Sequence, residues 1–382
     1  MKIKVCTKCL YPETKPDIWF NDEGICSACI SFDNRDEIIW KDREQDFLNL
    51  IDKINKNNNS PYDCIVPVSG GKDSTYQVIK VLDLGLTPLC IVATTDSPTP
   101  IGLRNINNIR NLGVDLIEVK VNPLIRKRLN KLCLIEIGDI SWPEHVAIFT
   151  IPIRMAVQMG IKLVVWGENP QNEYGGPAAS SNDNTLTRKW LEEFGGLLGL
   201  RVSDLKHHEN LNEKDLYLYT YPSDEELIKS KVTGVFLGYY FPWDGFTNYL
   251  VSQAYGFETY PYNILGSIGG YENLDNYQTG IHDYFKYLKY GFGRATDILN
   301  NQIRRKRISR DQALKIKLMH DGVYPREYLG KPLIDILNEI DLTIEQFDKI
   351  CDEFTNKELF ETSNDGTIIK QKNKGLISKI IY

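Results

Sequence analysis

No run among the 382 residues approaches the roughly 20 consecutive apolar residues that a membrane helix needs. The opening Met-Lys-Ile-Lys-Val-Cys has neither the apolar segment nor the cleavage site of a secretory signal. A cytoplasmic protein is expected. Excess positive charge is missing too. Against 51 Asp and Glu stand 45 Lys and Arg, a formal net charge of −6, which is a poor match to a protein living on a phosphate backbone. Neither a membrane nor a nucleic acid is an expected partner. No internal repeat is visible. What remains, 42% hydrophobic and 25% charged residues, lies in the ordinary globular range and argues against disorder, collagen-like repeats and disulfide-dense miniproteins. At about 150 residues per domain the length predicts two or three folded units.

Eight cysteines would form a secreted disulfide framework only in a much shorter chain. Four of them cluster as two CxxC pairs, Cys6 with Cys9 and Cys26 with Cys29, with 16 residues between the pairs. That is the spacing of a zinc ribbon. Four thiolates leave no open coordination position, so the ion would be a structural clamp for a segment too short to bury a core of its own. Free buried cysteines, a redox pair and an iron–sulfur site are the alternatives. Cys64, Cys90, Cys133 and Cys351 sit in mostly apolar settings and are expected to be buried structural thiols.

Residues 64–68, Cys-Ile-Val-Pro-Val, predict a short buried strand with Pro67 at its end. Ser69, Gly70, Gly71, Lys72, Asp73 and Ser74 follow, and the spacing of Val78, Val81 and Leu82 predicts a helix over 75–84. Strand, glycine turn and helix N-terminus make an anion site. The glycines admit close approach, and the first N–H groups of the helix face phosphate oxygens. Lys72 and the hydroxyls of Ser69 and Ser74 add donors. A Walker A loop is excluded, because Val66 stands where its first glycine belongs and Asp73 follows Lys72. The dinucleotide fingerprint Gly-x-Gly-x-x-Gly fails as well, since the two glycines are adjacent and no third follows in register. An ordinary glycine turn is the bland alternative.

Four units are expected: a zinc ribbon (1–35), a helical linker (36–61), a parallel-sheet α/β domain (62–230), and an aromatic-rich, then helical, C-terminal region (231–382). Runs at 89–94, 116–121 and 163–166 read as further strands, with helices near 102–112, 124–135 and 145–159 between them. Asp96 and the segment Gly167, Glu168, Asn169 fall at carboxyl ends of strands, where open α/β sheets bind ligands. Ser309 to Gln312 and Thr343 to Gln346 have capping-box spacing, and Leu333, Ile336, Leu337 and Ile340 form a core stripe.

Ser-Gly-Gly-Lys-Asp-Ser after the first strand resembles the PP-loop of ATP pyrophosphatases, HUP-like α/β enzymes that split ATP to AMP and pyrophosphate. Further stretches resemble the N-acetyl sugar amidotransferase family, which includes the pseudaminic acid amidotransferase and the enzymes of acetamidino sugars in O-antigens. They are Cys-Thr-Lys-Cys with Cys-Ser-Ala-Cys, Trp-Gly-Glu-Asn-Pro at 166–170, and Lys289-Tyr290-Gly291-Phe292-Gly293-Arg294-Ala295-Thr296-Asp297. The resemblance implies conversion of a sugar acetamido group into an acetamidino group through an O-adenylated intermediate attacked by ammonia. ATP, Mg²⁺ and Zn²⁺ are the implied cofactors.

The candidate nucleotide-binding residues are Ser69, Gly70, Gly71, Lys72, Asp73, Ser74, Asp96, Gly167, Glu168 and Asn169. Lys72, Asp73, Glu144 and His145 are candidates for catalysis, with Asp73 either holding Mg²⁺ or capping its helix. His282, Lys289 and Arg294 are candidate substrate contacts. His145 beside Glu144 and His282 beside Asp283 have acid–base chemistry available, against a satisfied structural histidine. The basic run Arg304, Arg305, Lys306, Arg307 and Arg310 would close over phosphate or sugar acid, or be a solvated helix face. No cysteine has the N-terminal or glycine-flanked setting of a glutaminase nucleophile, so ammonia is expected from a separate glutaminase. Rival readings are a tRNA thiolase of the same superfamily and a non-catalytic ATP-binding protein.

Overall fold

The computed structural model describes residues 3–56, 60–168, 173, 175, 185–186, 198–206, 208 and 211–382. Strands β1 (Cys64–Pro67), β2 (Pro88–Ala93), β3 (Asp115–Val119), β4 (Leu163–Trp166), β5 (Thr185–Leu186) and β6 (Thr233–Phe236) form one sheet in the order β3-β2-β1-β4-β6-β5. All neighbours pair in parallel except β5, which runs antiparallel to β6. The sheet therefore takes in a strand beyond the expected boundary at 230. Its sequence, Thr-Gly-Val-Phe, is short and begins in a glycine-containing stretch, which hid it.

Alternation along the strands assigns each helix to a face. Ile65, Leu89, Ile91, Val164 and Phe236 share a core with α4 (Pro123–Ile137) and α5 (Trp142–Met159). Val66, Cys90, Val92, Val165 and Val235 point the other way, toward α1 (Trp40–Asn55), α2 (Lys72–Asp83) and α3 (Pro100–Arg110). Both faces are covered, as a parallel sheet requires. Cys64, Cys90, Cys133 and Cys351 are buried free thiols. Among the described residues no helix is long and apolar enough to cross a membrane.

The C-terminal region carries α6 (Gly245–Ala254), α7 (Thr279–Tyr290), α8 (Arg294–Arg304), α9 (Arg310–His320) and α10 (Ile344–Phe354). Leu333, Ile336, Leu337 and Ile340 are buried with Phe285, Leu288 and Phe347 in one core. Ser309 and Thr343 each close a reciprocal capping box with Gln312 and Gln346. At the other end of the chain, Cys6, Cys9, Cys26 and Cys29 are buried against Phe292, Leu299 and Ile303, so the ribbon packs on α8.

Candidate functional site

The sheet order reverses between β1 and β4. From β1 the chain moves outward through β2 and β3, then returns to build β4 and β6 on the other side. Loops leaving the carboxyl ends of two such strands diverge and leave a crevice. Ser69 to Gly71 leave β1 there, and Gly167 and Glu168 leave β4. The helix after the loop starts three residues earlier than its apolar spacing predicts, at Lys72 with Gly71 as N-cap. Lys72 and Asp73 therefore belong to its first turn, beside the free N–H groups of the helix N-terminus. Ser74 Oγ accepts from the Ser69 N–H at 3.4 Å and donates to the Gly71 carbonyl at 3.0 Å, so these serines also hold the loop's shape.

Gly70 has φ +84°, and a Cβ there would lie 2.8 Å from Ile106 Cγ1 and 2.9 Å from the Gly102 carbonyl oxygen. Both the conformation and the space demand glycine. Gly70→Ala should lower stability by about 1–3 kcal/mol. A urea midpoint unchanged from the parent protein would contradict that.

Lys72 is only 5% exposed. Its ammonium lies 2.6 Å from Asp73 Oδ2 and 3.0 Å from Glu272 Oε1. Burial opposes the charge, but the two carboxylates overcome it and hold the lysine above its ordinary range. Asp73 does not cap the helix. Its Oδ1 accepts from Asn248 Nδ2 at 2.8 Å, and Ser252 Oγ donates to the Lys72 carbonyl at 2.7 Å. Around them is a cleft of about 500 Å³, part of it open to solvent, lined also by Glu168, Asp244, Phe246, Tyr271, Arg294 and Asn301. Burial, together with Asp73 and Glu173, pushes the Glu168 carboxyl up to about 8.

Most of the lining of this cleft therefore comes from beyond residue 240. Residues 246–374 match the family described as LPS biosynthesis protein WbpG-like, C-terminal domain. The match covers this stretch and not the chain as a whole. Comparison with curated proteins finds no match. Similar solved structures include the NMN synthetase of Francisella tularensis (14% identity, TM-score 0.29, covering 51% of this chain and 92% of that one). The NH3-dependent NAD synthetase of Campylobacter jejuni is another (11% identity, TM-score 0.29, 57% and 97%).

The stretch that matches this family supplies Asn248, Ser252 and Glu272 to the glycine-rich loop, and no sequence motif marks any of the three. One signal was available. Asn248 and Ser252 are buried polar residues four apart on α6, hence on one face of it. Glu272 lies in irregular chain, where no periodicity marks it.

The other candidates gather elsewhere. His282 Nδ1 is 2.7 Å from Asp139 Oδ1, and His145 Nδ1 is 3.8 Å from Asp139 Oδ2. The two imidazoles meet edge to face, with ring centres 5.0 Å apart. Each histidine thus shares Asp139 rather than its neighbour in sequence. Glu144 accepts from Asn276, and Asp283 pairs with Arg294 at 3.0 Å. Lys289 caps the carboxyl end of α4, donating to the Ile137 and Gly138 carbonyls. Arg294 is the substrate candidate that reaches the cleft. Asp96 lies outside the crevice lining, its carboxylate taken by Arg126 and Asn130. Asn169 falls outside the described residues. The basic run does not face solvent as a unit. Arg304 is buried on the Glu173 carbonyl, Arg305 pairs with Asp244 at 2.9 Å, and Arg310 donates to ribbon carbonyls.

Burial pushes the His145 imidazole down to about 4, with His282 and Arg294 opposing its charge and Asp139 favouring it. An unfolded imidazole titrates near 6.5, so between about pH 6.5 and 4 the unfolded chain binds the proton more readily. Stability should fall by ~3 kcal/mol at most as pH drops through that window. Urea midpoints from pH 4.5 to 7 will show this slope, and His145→Asn should flatten it.

The four cysteine sulfurs lie within 4.8 Å of one another. Cys6 Sγ accepts from the backbone N–H groups of Lys8, Cys9 and Cys26 at 3.3–3.4 Å. Donors aimed at a sulfur stabilise a thiolate, and four converging thiolates suit a tetrahedral metal ion.

Proposed function

We propose that this chain is an ATP-dependent, AMP- and pyrophosphate-forming enzyme of surface-glycan biosynthesis that converts a sugar acetamido group into an acetamidino group. One observation carries the reading. The WbpG-like domain and the PP-loop-like turn share a single cleft, with Glu272 of the former on Lys72 of the latter. A glycan-biosynthesis domain built directly onto an anion-binding loop joins an acceptor to a nucleotide.

The acetamido oxygen attacks the α-phosphorus of ATP, the bond to pyrophosphate breaks, and an imidate carrying AMP results. Ammonia adds to the imidate carbon, AMP leaves with the former amide oxygen, and a proton is lost. An amide oxygen is a poor leaving group until it is adenylated. Gly70 and Gly71 let the backbone approach the phosphates. Lys72 and the first N–H groups of α2 stabilise the charge growing on departing pyrophosphate. Exchanging Glu272 for a phosphate oxygen keeps the ammonium paired throughout. Glu168, its carboxyl pushed up to about 8 by burial, would, once ionised, take the proton that ammonia brings. Asp73 offers hard oxygen donors for Mg²⁺, which supplies countercharge to the phosphates when bound.

Zinc is the metal that suits the four thiolates, closed and structural. A separate glutaminase would supply ammonia, in the cytoplasm where ATP is made. The test is to incubate the protein with ATP, Mg²⁺, ammonium and acetamido sugars, free and nucleotide-linked. Pyrophosphate release and a product in which NH replaces O by mass are expected. Release of ADP and orthophosphate would overturn the reading.

A further inference from the structure

Helix α8 presents two faces. Arg294, Ile298 and Asn301 line the cleft, whereas Asn300 and Arg304 meet the cysteine ribbon. The Leu10 N–H donates to Asn300 Oδ1 at 2.8 Å, and the Arg304 guanidinium lies over the Tyr11 ring at 5.8 Å. Asp297 serves both faces. It lines the cleft, yet Tyr11 Oη donates to its Oδ1 at 2.9 Å and Lys286 holds its Oδ2. Tyr11 is fully buried, with its ring edge-on to Phe292 at 5.5 Å, and it stands two residues after Cys9. A second strut ties the N-terminal segment to another part of the cleft, from Arg35 to Glu173 at 2.6 Å, and Glu173 belongs to the cleft lining.

We propose that Tyr11 is a positioning residue for the cleft. Its hydroxyl fixes the Asp297 carboxylate, and with it the α8 wall against which the sugar acceptor is seated, so that the shape imposed by the four-cysteine centre is transmitted to the substrate site. A carboxylate with one oxygen on a lysine alone can swing about that contact, whereas a second donor on the other oxygen sets its plane. The sequence separates the two partners by most of the chain, which makes this a bond between folding units rather than a local turn. The assignment of the acceptor to this cleft rests on the function proposed above. The bond between ribbon and wall does not.

Full-length Tyr11→Phe tests it, because the ring packing stays and only the hydroxyl goes. Metal content should match the parent protein and the thermal midpoint should move little. Acceptor KM should rise about tenfold with kcat nearly unchanged, the signature of a misplaced binding group. Asp297→Asn should raise KM similarly, and adding Tyr11→Phe to it should have little further effect. Hydrogen exchange supplies a readout independent of turnover. Amides of 294–304 should exchange faster in Tyr11→Phe while those of 344–354 do not. Parental exchange in 294–304 together with parental KM would overturn the proposal. Loss of metal in Tyr11→Phe would overturn it too, reducing Tyr11 to a structural part of the ribbon. If the parent protein releases no pyrophosphate with any acetamido sugar, the functional reading fails, and exchange in 294–304 alone then decides the role of Tyr11.

Discussion

Lys72→Met should reduce pyrophosphate formation by about 10²–10³-fold, the effect of deleting a single preorganised donor from a developing anion. The replaced group is a buried ammonium between Asp73 and Glu272. Its removal leaves two carboxylates facing each other across the loop, so the same variant should lose about 3–5 kcal/mol of stability. The two effects are separable. Adding Glu272→Gln removes one of the orphaned charges and should recover part of the stability, while turnover stays low because no cation has been restored. Pyrophosphate release and urea midpoints on the single and double variants measure both. A double variant that regains activity along with stability would show that Lys72 served the fold and not the reaction.

Stripping the cysteine centre should have the second large effect. Apparent binding of structural zinc to such sites is worth about 10–16 kcal/mol near pH 7. The ribbon cannot replace that from its own core, because its buried surface consists mainly of the cysteines, Leu10, Tyr11 and Ala28. A strong chelator should release one zinc per chain, open residues 3–33 to proteolysis, and be reversed by added zinc. Arg310 would lose the Cys9 and Cys6 carbonyls, and Asn300 the Leu10 N–H. The damage should therefore reach α8 and α9, with protease sites appearing there after those in the ribbon. A chelated, zinc-free protein with the parental digestion pattern would remove the metal from the account.

What the sequence alone encodes is what depends on neighbours in the chain. Two CxxC pairs specify a four-sulfur centre because ligand spacing is local, and Cys6, Cys9, Cys26 and Cys29 do converge. Strand, glycine turn and helix follow from apolar runs and from the conformation that Gly70 needs. The helix begins three residues before its apolar periodicity does, because Lys72 to Ser74 carry no apolar side chain and are held helical by Gly71 and by contacts from α6. Adjacency in sequence misled for the histidines. Residues next to each other on a helix point about 100° apart, so His145 and Glu144 take different partners, and Asp139 unites His145 with His282 from another helix.

The sequence by itself determined the cysteine centre, the α/β sheet and the glycine-rich turn, each encoded within a few tens of residues. Tertiary structure alone decided that Glu272 faces Lys72, that Asn248 holds Asp73, and that Tyr11 reaches Asp297. Those pairs lie far apart in the chain. Their energies come from burying charge beside charge, and burial is a property of the packed molecule that no local pattern records.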